Sequence, residues 1–221
     1  MFNLGGGWVE STLNMGILYI ILAYFLGSIP FGFLISKFSG KDILKIGWKK
    51  TSGSNVFRNV GKWQGALTGI LDVGKGFLAV WLAQYFGLSL QAQALSGVAA
   101  VTGHNWSIFL KFAGGRGIGT LIGAFLALSS GILGYSLIPL ILLALIWNAS
   151  IGTIFFLIAA IILTVHFGQL ATVGLLPLVS LFPIFLKRLS PIKELSLKKK
   201  ELIRNRLIFD NDQLCLDLRI K

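Results

Sequence analysis

Four short stretches of the chain carry side chains that could do chemistry. In Lys111-Phe112-Ala113-Gly114-Gly115-Arg116-Gly117 a guanidinium stands amid bare backbone, at the start of a long uncharged region. Arginine meets phosphate with two parallel N–H donors, and the N-terminus of a following helix favours an anion. Gly114, Gly115 and Arg116 therefore read as a phosphate turn; the plainer alternative is a basic cytoplasmic turn. The second stretch runs Gly47-Trp48-Lys49-Lys50-Thr51-Ser52-Gly53-Ser54-Asn55-Val56-Phe57-Arg58. Small residues expose backbone N–H groups, Thr51, Ser52, Ser54 and Asn55 add donors, and Lys49, Lys50 and Arg58 add charge. That is the composition of an anion cradle opening onto a helix, weighed against a loop whose lysines meet anionic lipid head groups.

The third stretch is Gly27-Ser28-Ile29-Pro30-Phe31-Gly32. Pro30 has no N–H, so the helix kinks and frees carbonyls above it. Ser28 could serve a polar ligand there, although a serine bonded back to its own helix is commoner. The fourth, Asp72-Val73-Gly74-Lys75-Gly76, sits in an apolar segment. Ionisable groups at membrane depth are paired or functional. Asp72 and Lys75 share a helix face, so they read as an ion pair, with each other or with Arg58 or Arg116, beside a substrate site. His104 alone reads as an interhelical histidine satisfied by a neighbour. No His is followed five positions later by Asp, no paired-Asp metal motif appears, and neither His104 nor His166 has companions for a metal.

The placement of charge says what must position these stretches. The chain has 221 residues, 55% hydrophobic and 13% charged, with mean hydropathy +0.80. A soluble domain carries about 25% charge, and disorder needs far less apolar content. From Gly117 to Leu186 there is no Asp, Glu, Lys or Arg, which no soluble protein of this size sustains. The net charge of +12 is concentrated in residues 37–62 and 187–221. Basic loops of this kind mark the cytoplasmic side of a membrane protein, and no nucleic-acid-binding motif accompanies them.

Apolar runs predict an all-α, polytopic membrane protein. Spans are expected near 16–36, 63–86, 92–110, two within 117–147 (divided at Ser129-Ser130-Gly131), 150–165 and 170–186. The basic loop 37–62, the turn 111–116 and the C-terminal segment must share one side. Seven spans satisfy this, with the N-terminus outside and the C-terminus cytoplasmic; five would also satisfy it. The expected organisation is a membrane domain over 1–188 and a basic, partly helical tail over 189–221, which carries the single cysteine, Cys215. The N-terminus lacks the basic region of a cleavable signal peptide. Most glycines within spans read as packing positions.

In this order the motifs resemble the bacterial acyl-phosphate:glycerol-3-phosphate acyltransferases of the PlsY type, across roughly residues 16–195, as a divergent member. Gly27–Gly32 resembles the family's GSIPxG. Asn55-Val56-Phe57-Arg58, Gly61-Lys62, Gly65 and Asp72–Gly76 keep its spacing. Gly103–Gly117 resembles GHxxxxFxxFxGGKG, and Ser150-Ile151-Gly152-Thr153 a later loop. The chain departs where GSGN reads Gly47-Trp48-Lys49-Lys50, where the GGKG lysine is Arg116, and where the C-terminal HRxNI reads Arg188-Leu189-Ser190-Pro191-Ile192.

The resemblance implies a reaction and a set of roles. Acyl transfer from acyl phosphate to the sn-1 hydroxyl of glycerol 3-phosphate would give lysophosphatidic acid for phospholipid synthesis. Arg116, Ser28 and His104 would form the catalytic group. Asn55 and Arg58 would hold glycerol 3-phosphate, and Thr51, Ser52, Gly53 and Ser54 would cradle the second phosphate. Gly114, Gly115, Ser150 and Thr153 would complete the substrate contacts. It further implies no metal or other cofactor, and a multi-pass protein of the bacterial plasma membrane with its site facing the cytosol; membrane lipids are the expected surroundings, no nucleic-acid partner is expected, and the oligomeric state is open, a monomer being the expectation. The competing reading is a non-enzymatic permease or lipid-binding membrane protein with the same fold.

Overall fold

The computed structural model of the chain describes residues 6–190 and 200–210, with side chains described for 14–190 and 201–210. Among the described residues the secondary structure is helical, with no strand. The chain divides into two compact units, Met1–Leu128 and Ser129–Lys221.

In the first unit α1 (Gly6–Ser28) and α2 (Phe31–Phe38) are separated at Ile29-Pro30, where the proline cannot supply the next helical donor. The short α3 (Gly53–Asn59) leads into the long α4 (Lys62–Tyr85). Lys41 Nζ donates to the carbonyl of Asn59 at 2.7 Å, closing the C-terminal end of α3. Next come α5 (Leu90–Asn105), a single 3-10 turn (Ile108–Leu110) and α6 (Ile118–Leu128). Small residues bring these helices together. Ala23, Ala79, Ala99 and Ala100 form one buried cluster, and α1 packs along α5 as α4 packs along α6. Backbones approach so closely that a Cβ added at Gly76 would overlap the carbonyl of Thr120, and one at Gly123 that of Val73. The packing role expected for the glycines is met at these positions.

In the second unit α7 (Ser130–Ile146) packs along α8 (Ala149–His166). The division expected at Ser129–Gly131 falls at Ser129, just before α7. Asn148 caps α8, its Oδ1 accepting from the Ser150 N–H at 2.7 Å. Then follow α9 (Leu175–Arg188) and α10 (Lys200–Phe209). The buried Arg188 ties the unit together, donating to the carbonyls of Leu207 at 2.6 Å and Ser150 at 2.8 Å. The rest of the expected tail, 191–199 and 211–221 with Cys215, lies outside the described residues.

Two expected spans change. The run 92–110 is helical only to Asn105, because the backbone beyond it bonds elsewhere: Ser107 N–H donates to Ala113 and Phe112 N–H to Ser107. The run 170–186 begins its helix at Leu175, since turns occupy Gln169–Gly174 after Gly168 at φ +66°. Among the described residues three helical segments are long and apolar enough to cross a bilayer: Asn14–Phe38, Lys62–Tyr85 and Ala149–His166; Ile118–Leu128 and Ser130–Ile146 are shorter apolar helices. Their outer faces are greasy. Ile17, Ile70, Leu145 and Ile162 are each more than half exposed. Helix faces that expose side chains of this kind suit lipid and not water.

Candidate active site

The polar stretches picked out in the sequence converge inside the first unit. At the kink the Ile29 carbonyl accepts from the Phe31 N–H at 3.2 Å and from Lys75 Nζ at 3.0 Å. The same ammonium lies 3.0 Å from Asp72 Oδ1, and that oxygen lies 3.3 Å from His104 Nδ1. All three side chains are buried. The expected ion pair therefore forms between Asp72 and Lys75, and not with Arg58 or Arg116. Buried charges persist only where partners and hydrogen bonds replace water, so this cluster fixes α4 against the α1–α2 junction and α5.

His104 passes that order to the glycine turn. Its carbonyl accepts from the Gly115 N–H at 3.0 Å, and its ring lies where a Gly115 Cβ would have to go. A Cβ at Gly114 would overlap the His104 carbonyl. The turn is thus pressed onto the end of α5, where only glycine fits, and Arg116 follows directly. Gly117, at φ +79°, starts α6 by accepting from the Leu121 N–H at 2.8 Å. His104 of α5 thus meets Asp72 of α4 and sets its ring against Gly115.

The loop carrying Thr51–Ser54 joins the turn. Thr51 N–H points at the Gly114 carbonyl at 3.4 Å, and the Thr51 carbonyl packs against Gly32. Thr51 and Ser52 are buried, Ser54 is exposed, and the two serine hydroxyls lie 3.3 Å apart. Gly53 opens α3 against Gly65 and Gly69 of α4.

Asn55 is fully buried and works on the loop itself. Its Oδ1 accepts from the Trp48 N–H at 3.1 Å and from Asn59 at 2.9 Å. Its Nδ2 donates to the Lys50 carbonyl at 2.8 Å and towards Ile46 at 3.4 Å. Two donors and two acceptor sites exhaust an amide. In this structure the Asn55 amide is thus engaged with the loop and with Asn59.

Arg58 and Arg116, which come from separate parts of the chain, meet at one side chain. Their guanidinium carbons lie 4.8 and 4.7 Å from the ring of Trp48. Both are within cation–π range, and Arg58 is exposed. Sequence reasoning noted Trp48 only as a departure, and nothing in its spacing signals a shared partner. It also missed Ser107, whose hydroxyl donates to the Ser28 carbonyl at 2.5 Å. Ser28 Oγ is buried without a hydrogen-bond partner, against Gly103; the back-bond to its own helix does not form.

Ser150 and Thr153 belong to the second unit. They stand near the start of α8, Thr153 Oγ1 donating one turn back to the Ala149 carbonyl at 2.9 Å. Among the described residues no three His, Cys, Asp or Glu gather as a metal site would require. The first unit thus offers two arginines, a bare glycine turn and a hydroxyl-lined loop, an arrangement suited to oxyanions of phosphate.

Comparison with known proteins agrees with that chemistry. A glycerol-3-phosphate acyltransferase of Prochlorococcus marinus (strain MIT 9515) is 49% identical over 116 residues, 52% of this chain and 59% of that relative. One from Thermosipho melanesiensis is 45% identical over 108 residues, 49% of this chain and 53% of that protein. The matched stretch thus spans little more than half the length of these curated relatives. The crystal structure of PlsY (YgiH), an integral membrane glycerol 3-phosphate acyltransferase, in its glycerol 3-phosphate form superposes with a TM-score of 0.73 at 28% identity. It covers 81% of this chain and 90% of that one. The lysophosphatidic acid form gives 0.70 at 30% identity, with the same coverage. A sequence model of the glycerol-3-phosphate acyltransferases matches residues 17–196, and the chain belongs to that family.

Proposed function

We propose that the chain is a membrane acyltransferase moving an acyl group from acyl phosphate to the sn-1 hydroxyl of glycerol 3-phosphate. The hydroxyl oxygen bonds to the acyl carbonyl carbon, the carbonyl–phosphate bond breaks, and the hydroxyl proton leaves with the phosphate. The products are lysophosphatidic acid and inorganic phosphate. The observation that carries the reading is the meeting of Arg58 and Arg116 beside the Gly114–Gly115 turn, since both substrates bear phosphate. Rate comes from holding two substrates in attack geometry and from cations that meet negative charge as it develops on the leaving phosphate.

In this reading Arg116 and Arg58 bind phosphate, with the turn and the Thr51–Ser54 loop supplying further donors. Ser28 gives a buried hydroxyl. His104 sets the turn from behind, and Asn55 sets the loop. Ser150 and Thr153 are assigned substrate contact on the resemblance alone. The apolar faces accept the acyl chain. Parity of the basic loops supports seven crossings, with the N-terminus outside and the site and C-terminus cytosolic, in the plasma membrane of a bacterium. We read 1–188 as the catalytic membrane domain and 189–221 as a basic extension at the membrane surface, and the working unit as a monomer.

The test is phosphate release by the purified full-length chain. Release from acyl phosphate should require glycerol 3-phosphate, and Arg116→Ala should abolish it while the protein keeps its melting temperature. Full activity in Arg116→Ala removes that residue from the site.

A further inference from the structure

We propose that Trp48 is a positioning residue whose indole gathers Arg58 and Arg116 into one anion clamp, an inference that rests on the assignment of both arginines to phosphate. Their guanidinium carbons lie 4.8 and 4.7 Å from a single ring centre, hence within about 9.5 Å of each other. Two like charges brought this close repel, and the electron-rich indole face offsets that repulsion for both. Phosphate oxygens take the N–H donors that a guanidinium carries in its own plane. The clamp is therefore assembled before an anion arrives, which lowers the cost of binding one.

The indole can act as a platform because its backbone is fixed. Trp48 N–H donates to Asn55 Oδ1 at 3.1 Å, and Asn55 Nδ2 holds the Lys50 carbonyl two residues on at 2.8 Å. On the other side Gly47 sits at φ +55°, packed so that an added Cβ would overlap Asn59 and Asn55. The chain is thus pinned before and after the ring. Where the resembled run carries serine, this chain carries tryptophan. A serine brings its own hydroxyl to an anion, whereas tryptophan brings a surface on which two cations rest.

A cation–π contact at an exposed site corresponds to about two- to fivefold in affinity, so losing both corresponds to about tenfold. The experiment titrates inorganic phosphate into the full-length chain in detergent by calorimetry, and measures KM and kcat with glycerol 3-phosphate. Trp48→Leu keeps apolar bulk and removes the ring; Trp48→Phe keeps a ring face. Trp48→Leu should weaken phosphate binding about tenfold and raise KM similarly. Trp48→Phe should recover most of both losses. If Trp48→Leu does not purify as a folded protein, Trp48→Met takes its place. Wild-type phosphate affinity in Trp48→Leu, or equal losses in Trp48→Leu and Trp48→Phe, overturns the clamp. Wild-type protein that binds phosphate with this dependence on Trp48 yet transfers no acyl group leaves the clamp standing and sinks the enzymatic reading.

Discussion

Asn55→Ala isolates the residue on which the geometry of the cradle loop depends. In the structure its side chain makes two well-formed bonds to the loop, from the Trp48 N–H at 3.1 Å and to the Lys50 carbonyl at 2.8 Å. A net intramolecular hydrogen bond stabilises by about 1 kcal/mol, so their loss costs about 2 kcal/mol of local stability. The long contact to Ile46 at 3.4 Å adds little. At this cost the population of the opened loop rises roughly 30-fold. Lys49 and Lys50 lie in the segment that opens, which makes trypsin a direct reporter. Where opening is fast relative to cleavage, the cutting rate follows the open population. Limited digestion in detergent, with peptides identified by mass spectrometry, should show cleavage after Lys49 and Lys50 accelerated about 30-fold in Asn55→Ala. Cleavage elsewhere in the chain is the internal reference. An unchanged rate at these two lysines refutes the loop-shaping role, and with it the account of how Trp48 is held.

Two further substitutions test the packing around the site. Asp72→Asn strands the buried Lys75 ammonium, which now has Asp72 at 3.0 Å. Breaking one side of a buried pair costs about 3–5 kcal/mol, so the melting temperature in detergent should fall by about 10 °C; adding Lys75→Met should recover part of that fall. Gly76→Ala drives a methyl into the Thr120 carbonyl, whereas Gly74→Ala on the same helix meets nothing within 4 Å. Gly76→Ala should lower the melting temperature clearly, while Gly74→Ala should leave it unchanged or raise it, alanine being the better helix former.

Much of this was legible in the sequence because the physics there is local. An uncharged stretch from Gly117 to Leu186 has few stable settings besides lipid. Pro30 cannot propagate a helix, and a freed carbonyl invites a donor. The donor, Lys75, was visible as an ionisable group at depth, but its position opposite Ile29 follows from how α4 packs beneath the α1–α2 junction. Other features were illegible for the same reason. The end of α5 at Asn105 is set by loop bonds such as Gly115 N–H to the His104 carbonyl, which no periodicity shows. Asn55 displays its four hydrogen-bonding groups in its formula but not their partners. Trp48 stands in the sequence as one aromatic residue in a basic loop, and only the fold brings Arg58 and Arg116 to its ring.

The most direct measurement is identification of the product. The full-length chain, reconstituted in liposomes, would be supplied with an acyl phosphate and isotopically labelled glycerol 3-phosphate, and the lipid extract read by mass spectrometry. The account predicts labelled lysophosphatidic acid accumulating in step with released inorganic phosphate, one for one. Labelled glycerol 3-phosphate recovered unacylated, inside the vesicles or out, with no phosphate released, would contradict it.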